Sequence, residues 1–152
     1  MQIGLDGKKK ILFYGRKDDY GWLSNFERSV QIVDGYEYPT NEHYYQAMKA
    51  NSEDFRQWIA SAPHPFAAMK AGRSLRSEAS ELRADWDNIK FDIMLKGLRA
   101  KYSQNPDLKK KLLETGDADI HENSPTDMVW GVKGKDMLGK LLMKVRSELR
   151  GK

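Results

Sequence analysis

The sequence predicts an α+β fold, a compact, mostly helical single domain over residues 1–152 with a small β-sheet covered by helices. Three observations predict it. Val30, Ile32, Tyr36 and Tyr38 alternate around Asp34-Gly35, and Asp-Gly suits the positive φ angles of a type I′ hairpin turn. Apolar residues at helical spacing, set between capping residues and prolines, fill the middle of the chain. Short extended stretches then return before a last amphipathic helix, and strands at both ends of a helical middle suit a sheet packed by helices.

Taken in order, Ile11-Leu12-Phe13-Tyr14 is a first strand, followed by a turn-rich loop over Gly15-Arg16-Lys17-Asp18-Asp19-Tyr20-Gly21. Trp22 to Phe26 lead into the hairpin, which delivers the chain to Pro39. Thr40 caps a short helix reaching Lys49. Asn51-Ser52-Glu53-Asp54 places a cap and two acids at the start of a helix through Ile59, where acids complement the positive dipole end. Pro63-His64-Pro65 interrupts it. Pro65 opens another helix, with Gly72 read as its C-terminal stop. Trp86, Ile89, Ile93, Met94, Leu98 and Tyr102 define the longest helix, from about Asp85 to Lys101. Asn105-Pro106 starts the next, with Leu108, Leu112 and Leu113 inward and Thr115-Gly116 as its stop. Ala118 to Asn123 and Met128 to Trp130 are extended candidates. Asp136 then caps a final helix whose apolar face is Leu138, Leu141, Leu142, Val145 and Leu149.

Composition narrows the function classes. With 39% hydrophobic residues, 11% aromatic residues and four Trp, the chain can build a core. No apolar run approaches the roughly 20 residues of a membrane helix. Met1 to Lys10 lacks the apolar stretch of a signal peptide. With no Cys there are no disulfides, compatible with a cytoplasmic location. His43, His64 and His121 lack ligand spacing, so no metal site is expected. The net charge of +4 permits phosphate-bearing partners without requiring them.

Three stretches stand out for chemistry. Glu42, Gln46 and Lys49 fall at i, i+4 and i+7, so an acid, an amide and an amine share one helical face among His43, Tyr44, Tyr45 and Met48. That face suits the lining of a cleft, although a solvated Glu-Lys stripe has the same spacing. From Asp127 to Gly139, a strand ending in Trp130 passes through a glycine loop with Lys133 and Lys135 to a helix N-terminus, where free N–H groups can hold a phosphate or carboxylate. Trp130 reads first as core, and second as a platform for a base. Ser24-Asn25-Phe26 reads as turn chemistry or as polar contacts.

These residues carry a resemblance. Ser24-Asn25-Phe26, then Pro39-Thr40-x-Glu42-His43-Tyr44-x-Gln46-Ala47-x-Lys49, then Ala71-Gly72-Arg73, then Trp130-Gly131 and Leu138-Gly139-x-x-Leu142-Met143-x-x-Arg146 resemble the NADAR family in order, from about Ile11 to Leu149. The resemblance implies hydrolysis of N-glycosidic bonds between ribose and a base-like amine. Two substrate classes go with it: ADP-ribose on guanine bases of nucleic acid, placed there by a DNA-modifying toxin, and phosphoribosyl-amino-pyrimidine intermediates of riboflavin biosynthesis. The basic balance and the lack of a fused riboflavin-pathway domain lean toward the first. A non-catalytic ADP-ribose-binding module is a further alternative. The glycine loop is shorter than is usual in the family, and Asp136 stands where Asn is usual.

On this reading Glu42 is the first choice for the catalytic carboxylate and Asp127 the second. Lys49 holds a phosphate, tunes Glu42 or forms an imine with a ring-opened sugar. Asn25 and Gln46 meet ribose hydroxyls, Arg73 a phosphate, and Trp130 the base. Ser24, Phe26, His43, Gly131, Lys135 and Asp136 complete the expected substrate contacts. No cofactor or metal is required by such a reaction.

Overall fold

The computed structural model describes residues 1–4, 7–15 and 17–151; Arg16 of the predicted first loop lies outside them. The chain runs β1 (Gln2–Ile3), β2 (Lys9–Phe13), a 3-10 turn over Gly21–Leu23, β3 (Arg28–Val33), β4 (Tyr36–Thr40), α1 (Asn41–Ala47), α2 (Glu53–Ala60), α3 (Pro65–Arg73), α4 (Trp86–Gln104), α5 (Pro106–Glu114), β5 (Asp119–Glu122) and α6 (Met137–Arg150). This is the predicted α+β class. The fold divides into two compact units, one of residues Met1–Glu27 with Tyr102–Lys152 and one of Arg28–Lys101. Among the described residues, no helix is long and apolar enough to cross a membrane.

The first unit is built on a three-stranded sheet in the order β1-β2-β5. β1, absent from the sequence reading, is a two-residue antiparallel edge on β2. β2 and β5 pair in parallel, with Ile11 opposite Ile120. A parallel pair needs a long crossover, and here the entire second unit lies between the two strands in sequence. α6 covers this sheet with the predicted apolar face, Leu138, Leu141, Leu142, Val145 and Leu149, all buried. Burying each such side chain stabilises the fold by about 1.5–3 kcal/mol. Gly139 is needed where α6 meets β5, because a Cβ there would overlap the carbonyl of Ile120. Arg146 is buried on the same helix, where its guanidinium donates to Thr115 Oγ1 and to the Ala118 carbonyl, both at 2.9 Å. The predicted strand over Met128 to Trp130 is instead a turn.

The second unit opens with the β3–β4 hairpin. Asp34 (φ 51°) and Gly35 (φ 85°) are both left-handed, as a type I′ turn requires. The buried face of β3 is Ser29, Gln31 and Val33, whereas Val30 and Ile32 are exposed. The burial of this polar face has a tertiary cause: fully buried Gln31 donates to Asn41 Oδ1 at 3.0 Å and to the Gly97 carbonyl at 3.3 Å, tying the hairpin to α1 and α4. Around it lies a core of Val33, Tyr38, Tyr44, Ala47, Ala50, Ile59, Ala68 and Leu75. Ser52 caps α2 as predicted, accepting from Phe55 N–H. His64 caps α3 through Nδ1, and Pro65 occupies its first turn.

Candidate functional site

All seven residues of α1 are buried, although four of them are Asn, Glu, His and Gln. A short helix can be buried with so many polar groups only if those groups are satisfied within the fold. Thr40 Oγ1 caps the helix by accepting from His43 N–H at 3.1 Å. Asn41 accepts from Gln31 and sets its amide nitrogen 3.3 Å from Met94 Sδ. Gly97 makes room for this, since a Cβ there would overlap Asn41 Oδ1 and lie 2.6 Å from the Tyr44 ring.

The predicted face is present. Glu42, 8% exposed, accepts a 2.7 Å hydrogen bond from Gln46 Nε2 through Oε1. The regular helix ends at Ala47, so Lys49 is carried on a tightened final turn, with its N–H bonded to the Gln46 carbonyl. Its own carbonyl accepts from Arg83 N–H at 2.9 Å, which fixes the backbone beneath the side chain.

Lys49 Nζ lies 5.4 Å from the Tyr45 ring centroid and 5.9 Å from that of Trp86, and these two rings meet edge to face. Burial draws the Lys49 ammonium below the ordinary lysine value. Nearby Arg73 and Lys90 push the same way, while Glu42 opposes them. Lys49 and Arg73 have no ion-pair partner among the described residues. The arrangement can hold a carboxylate in a fixed orientation, supply an amine that loses its proton more readily than usual, and attract a phosphate.

Three contributors escaped the sequence reading. Trp86 and Lys90 are one turn apart on α4, and Tyr45 stands beside the polar stripe of α1; Trp86 and Tyr45 read as packing, and nothing in the sequence singles out Lys90. Gly72 is a further departure, although the predicted motif included it: it lies inside α3 rather than ending it, and a Cβ there would overlap Gln46 Oε1 and lie 2.9 Å from Gln46 Cβ and Cδ. His43 has a different employment from the expected substrate contact. Its Nδ1 meets Thr40 Oγ1 at 2.8 Å and its Nε2 the Ala62 carbonyl at 3.0 Å, so both ring nitrogens are engaged within the protein. A cavity of about 230 Å³ lined by Val33, Tyr36, Tyr38, Met48, Glu53 and Arg56 includes neither Glu42 nor Lys49.

In the first unit, most of the other expected site residues are engaged in turn and loop contacts. Ser24 Oγ accepts from Phe26 N–H at 3.1 Å, a turn contact, and Asn25 is buried. Asp127 Oδ1 accepts from the N–H groups of Val129 and Trp130 at 2.9 and 2.8 Å. Trp130 is 9% exposed, which fits its core reading. The N-terminus of α6 is closed by its own loop: Met137 and Leu138 donate to the carbonyls of Val129 and Trp130. The expected anion site at that terminus is therefore occupied by main chain. Gly131 has a Cβ direction only 2.5 Å from the Asp127 carbonyl, and the exposed Lys135 donates its N–H to Met128. Asp136 holds the cap position with φ 57° but caps nothing with its side chain; it pairs instead with His121 Nδ1 at 2.6 Å.

Comparison with known proteins shows similarity over nearly the whole chain. The NADAR domain matches residues 12–150. N-glycosidase YbiA of Escherichia coli (strain K12) is 41% identical over 143 residues, covering 91% of this chain and 88% of that protein. The NMR structure of E. coli YbiA superposes with a TM-score of 0.84 at 39% identity, covering 94% of this chain and 86% of the other. The chloroplastic riboflavin biosynthesis protein PYRR of Zea mays is 38% identical over 157 residues, covering 93% of this chain but 25% of that longer protein.

Proposed function

The chain belongs to the NADAR family, and on that premise we propose that it is a hydrolase of N-glycosyl bonds acting through Glu42 and Lys49. The observation that carries the reading is the buried Glu42 carboxylate, oriented by Gln46 on the face that also holds the partly desolvated Lys49 amine. The naming of the E. coli relative as an N-glycosidase supports the reaction class.

The chemistry follows from charge. Breaking the bond between ribose C1′ and nitrogen builds positive charge on the sugar, and a fixed carboxylate stabilises it without reorganising. In direct hydrolysis Glu42 takes a proton from water as the water oxygen bonds to C1′; the C–N electron pair leaves with nitrogen, and the proton taken from water passes to that nitrogen, so that Glu42 is regenerated. Lys49 supports a second route when the ribose sits on an exocyclic amine. Ring opening leaves C1′ double-bonded to that nitrogen. The free Lys49 amine adds to C1′, expels the base as its amine, and remains as an imine that water hydrolyses to the sugar aldehyde and free lysine. A lowered lysine pKa favours this route, because only the unprotonated amine is a nucleophile.

In its finer form the reading is removal of ADP-ribose from guanine in nucleic acid. The basic balance of the chain and the neighbouring Lys49, Arg73 and Lys90 favour such a polyanionic substrate. The second reading is a phosphoribosyl-amino-pyrimidine of riboflavin biosynthesis, favoured by the name of the maize relative. The purified protein should be incubated with an ADP-ribosylated guanine oligonucleotide and, separately, with the pyrimidine intermediate, and the released sugar followed by mass. Release from the oligonucleotide, lost in Glu42→Gln, is the expected result. Release only from the pyrimidine would replace the first substrate by the second, and release from neither would overturn the enzymatic reading.

A further inference from the structure

We propose that Gln46 is a positioning residue for Glu42 rather than a sugar ligand, and that Gly72 of α3 is the wall that holds it in place. Gln46 is 3% exposed, and its two amide atoms have unequal surroundings. Nε2 donates to Glu42 Oε1 at 2.7 Å. Oε1 is fully buried and has no hydrogen-bond partner. It points at the one place on α3 that has no side chain, close enough that a Cβ on Gly72 would overlap it. An acceptor so enclosed has no path to a ribose hydroxyl.

The orientation also follows from charge. Turning the amide over would set its oxygen against Glu42 Oε1 and turn both N–H groups toward the Gly72 backbone, so one orientation is preferred. A glycine inside a helix costs about 0.5–1 kcal/mol relative to alanine, and what it permits here is this amide. α3 thereby acts on the catalytic carboxylate through Gln46, while the exposed Arg73 next in sequence to Gly72 lies close enough to Lys49 to depress its pKa. Of the charges that act on Lys49, Glu42 from α1, Arg73 from α3 and Lys90 from α4, none is altered by the substitutions below.

The test uses the full chain carrying Gln46→Met, Gly72→Ala or both. Its kinetic arm rests on the N-glycosidase reading; a second arm does not. Gln46→Met keeps the volume and removes the donor. It should lower kcat roughly 10- to 100-fold, the usual worth of a hydrogen bond to a charged group, with KM within about twofold. Gly72→Ala should lower kcat similarly by displacing the amide. In the Gln46→Met background most of that kinetic loss should vanish, while its cost in Tm, which comes from contact with Gln46 Cβ, should remain. A rise in KM with kcat unchanged would make Gln46 a substrate ligand and overturn the proposal. A kcat loss from Gly72→Ala that persists undiminished in the double variant would overturn the role of Gly72. Should Gly72→Ala fail to fold, Gln46→Met decides alone. In the second arm, ¹³C NMR follows the Glu42 carboxyl titration, which should move upward in Gln46→Met because its ionised form loses a donor. A wild type inactive on both substrates would refute the N-glycosidase reading, and an unmoved Glu42 titration would then overturn this proposal separately.

Discussion

The polar face of α1 and the loop from Asp127 to Gly139 look equally promising as sequence, and they differ in what their polar groups do. In the loop, Asp127 caps Val129 and Trp130, the first N–H groups of α6 donate to loop carbonyls, and Asp136 binds His121. On α1, His43 and Asn41 are likewise absorbed by the fold, but Glu42 is held by a neighbouring amide and Lys49 meets aromatic faces and other charges. A helix N-terminus or a glycine loop is therefore weak evidence for a site until its donors have been traced. A buried carboxylate beside a partly desolvated amine is stronger evidence, because perturbed titratable groups cluster at functional sites.

The sharpest way to break this contrast is a pair of isosteric changes. Glu42→Gln removes the charge and keeps the shape; kcat on the cleaved substrate should fall by about 10³-fold or more, with an unchanged circular dichroism spectrum. Asp127→Asn keeps an oxygen acceptor for the turn, and kcat should stay within about threefold. If the two results were exchanged, the catalytic carboxylate would belong to the loop.

Lys49→Met follows in size. It should lower kcat about 10²-fold. Since burial lowers the Lys49 pKa, the free amine appears below the ordinary lysine range, and activity through the imine should rise with pH through that lowered value to a plateau. The variant should lack this limb. Borohydride added during turnover should leave a sugar adduct on Lys49 of the wild type; a wild type that carries no adduct limits Lys49 to holding charge.

His43 tests the structural half of α1. Burial lowers its pKa below the ordinary 6.5, opposed by the Ala62 carbonyl and aided by His64. The stabilisation from the neutral ring is complete above about pH 6.5 and is lost as pH falls through the folded value. His43→Asn should cost about 1–3 kcal/mol in urea unfolding at neutral pH, the penalty for leaving buried partners unpaired, and should flatten the loss of stability toward pH 5. An undiminished acid limb in that variant would assign the sensitivity elsewhere.

How far the sequence could be read follows from the range of the forces involved. The capping of α1 and α2, the Pro65 start of α3, the Asp34-Gly35 turn and the apolar face of α6 depend on residues a few positions apart, and all were legible. The buried face of β3 was not, because Gln31 is inside only to reach Asn41 and Gly97, partners 10 and 66 residues away. Gly72 read as a helix stop because nothing local reveals Gln46 against it. The Glu42–Gln46–Lys49 stripe was visible as periodicity, but Trp86 and Lys90 join Lys49 only through folding. The loop at Asp127 misled because glycine spacing and a helix start are local signals, whereas the closure of that helix by carbonyls of its own turn is a matter of geometry.

The smallest expected effect sharpens that last point. Asp136 sits at φ 57°, a conformation costing most residues about 1–2 kcal/mol but tolerated by Asp and Asn through local hydrogen bonding. Asp136→Asn keeps this tolerance and an oxygen for His121, and removes a charge from a pair only 16–18% exposed. The hydrogen bond to His121 is kept with an amide oxygen in place of a carboxyl oxygen, a change worth about 1 kcal/mol or less, so stability should change by no more than that. Since the α6 N–H groups already donate to Val129 and Trp130, the substitution opens no anion site, and KM for a phosphate-bearing substrate should stay within about twofold. A severalfold fall in KM would mean that removing the carboxylate admits a phosphate to this end of α6, and the loop would then have to be restored to the site.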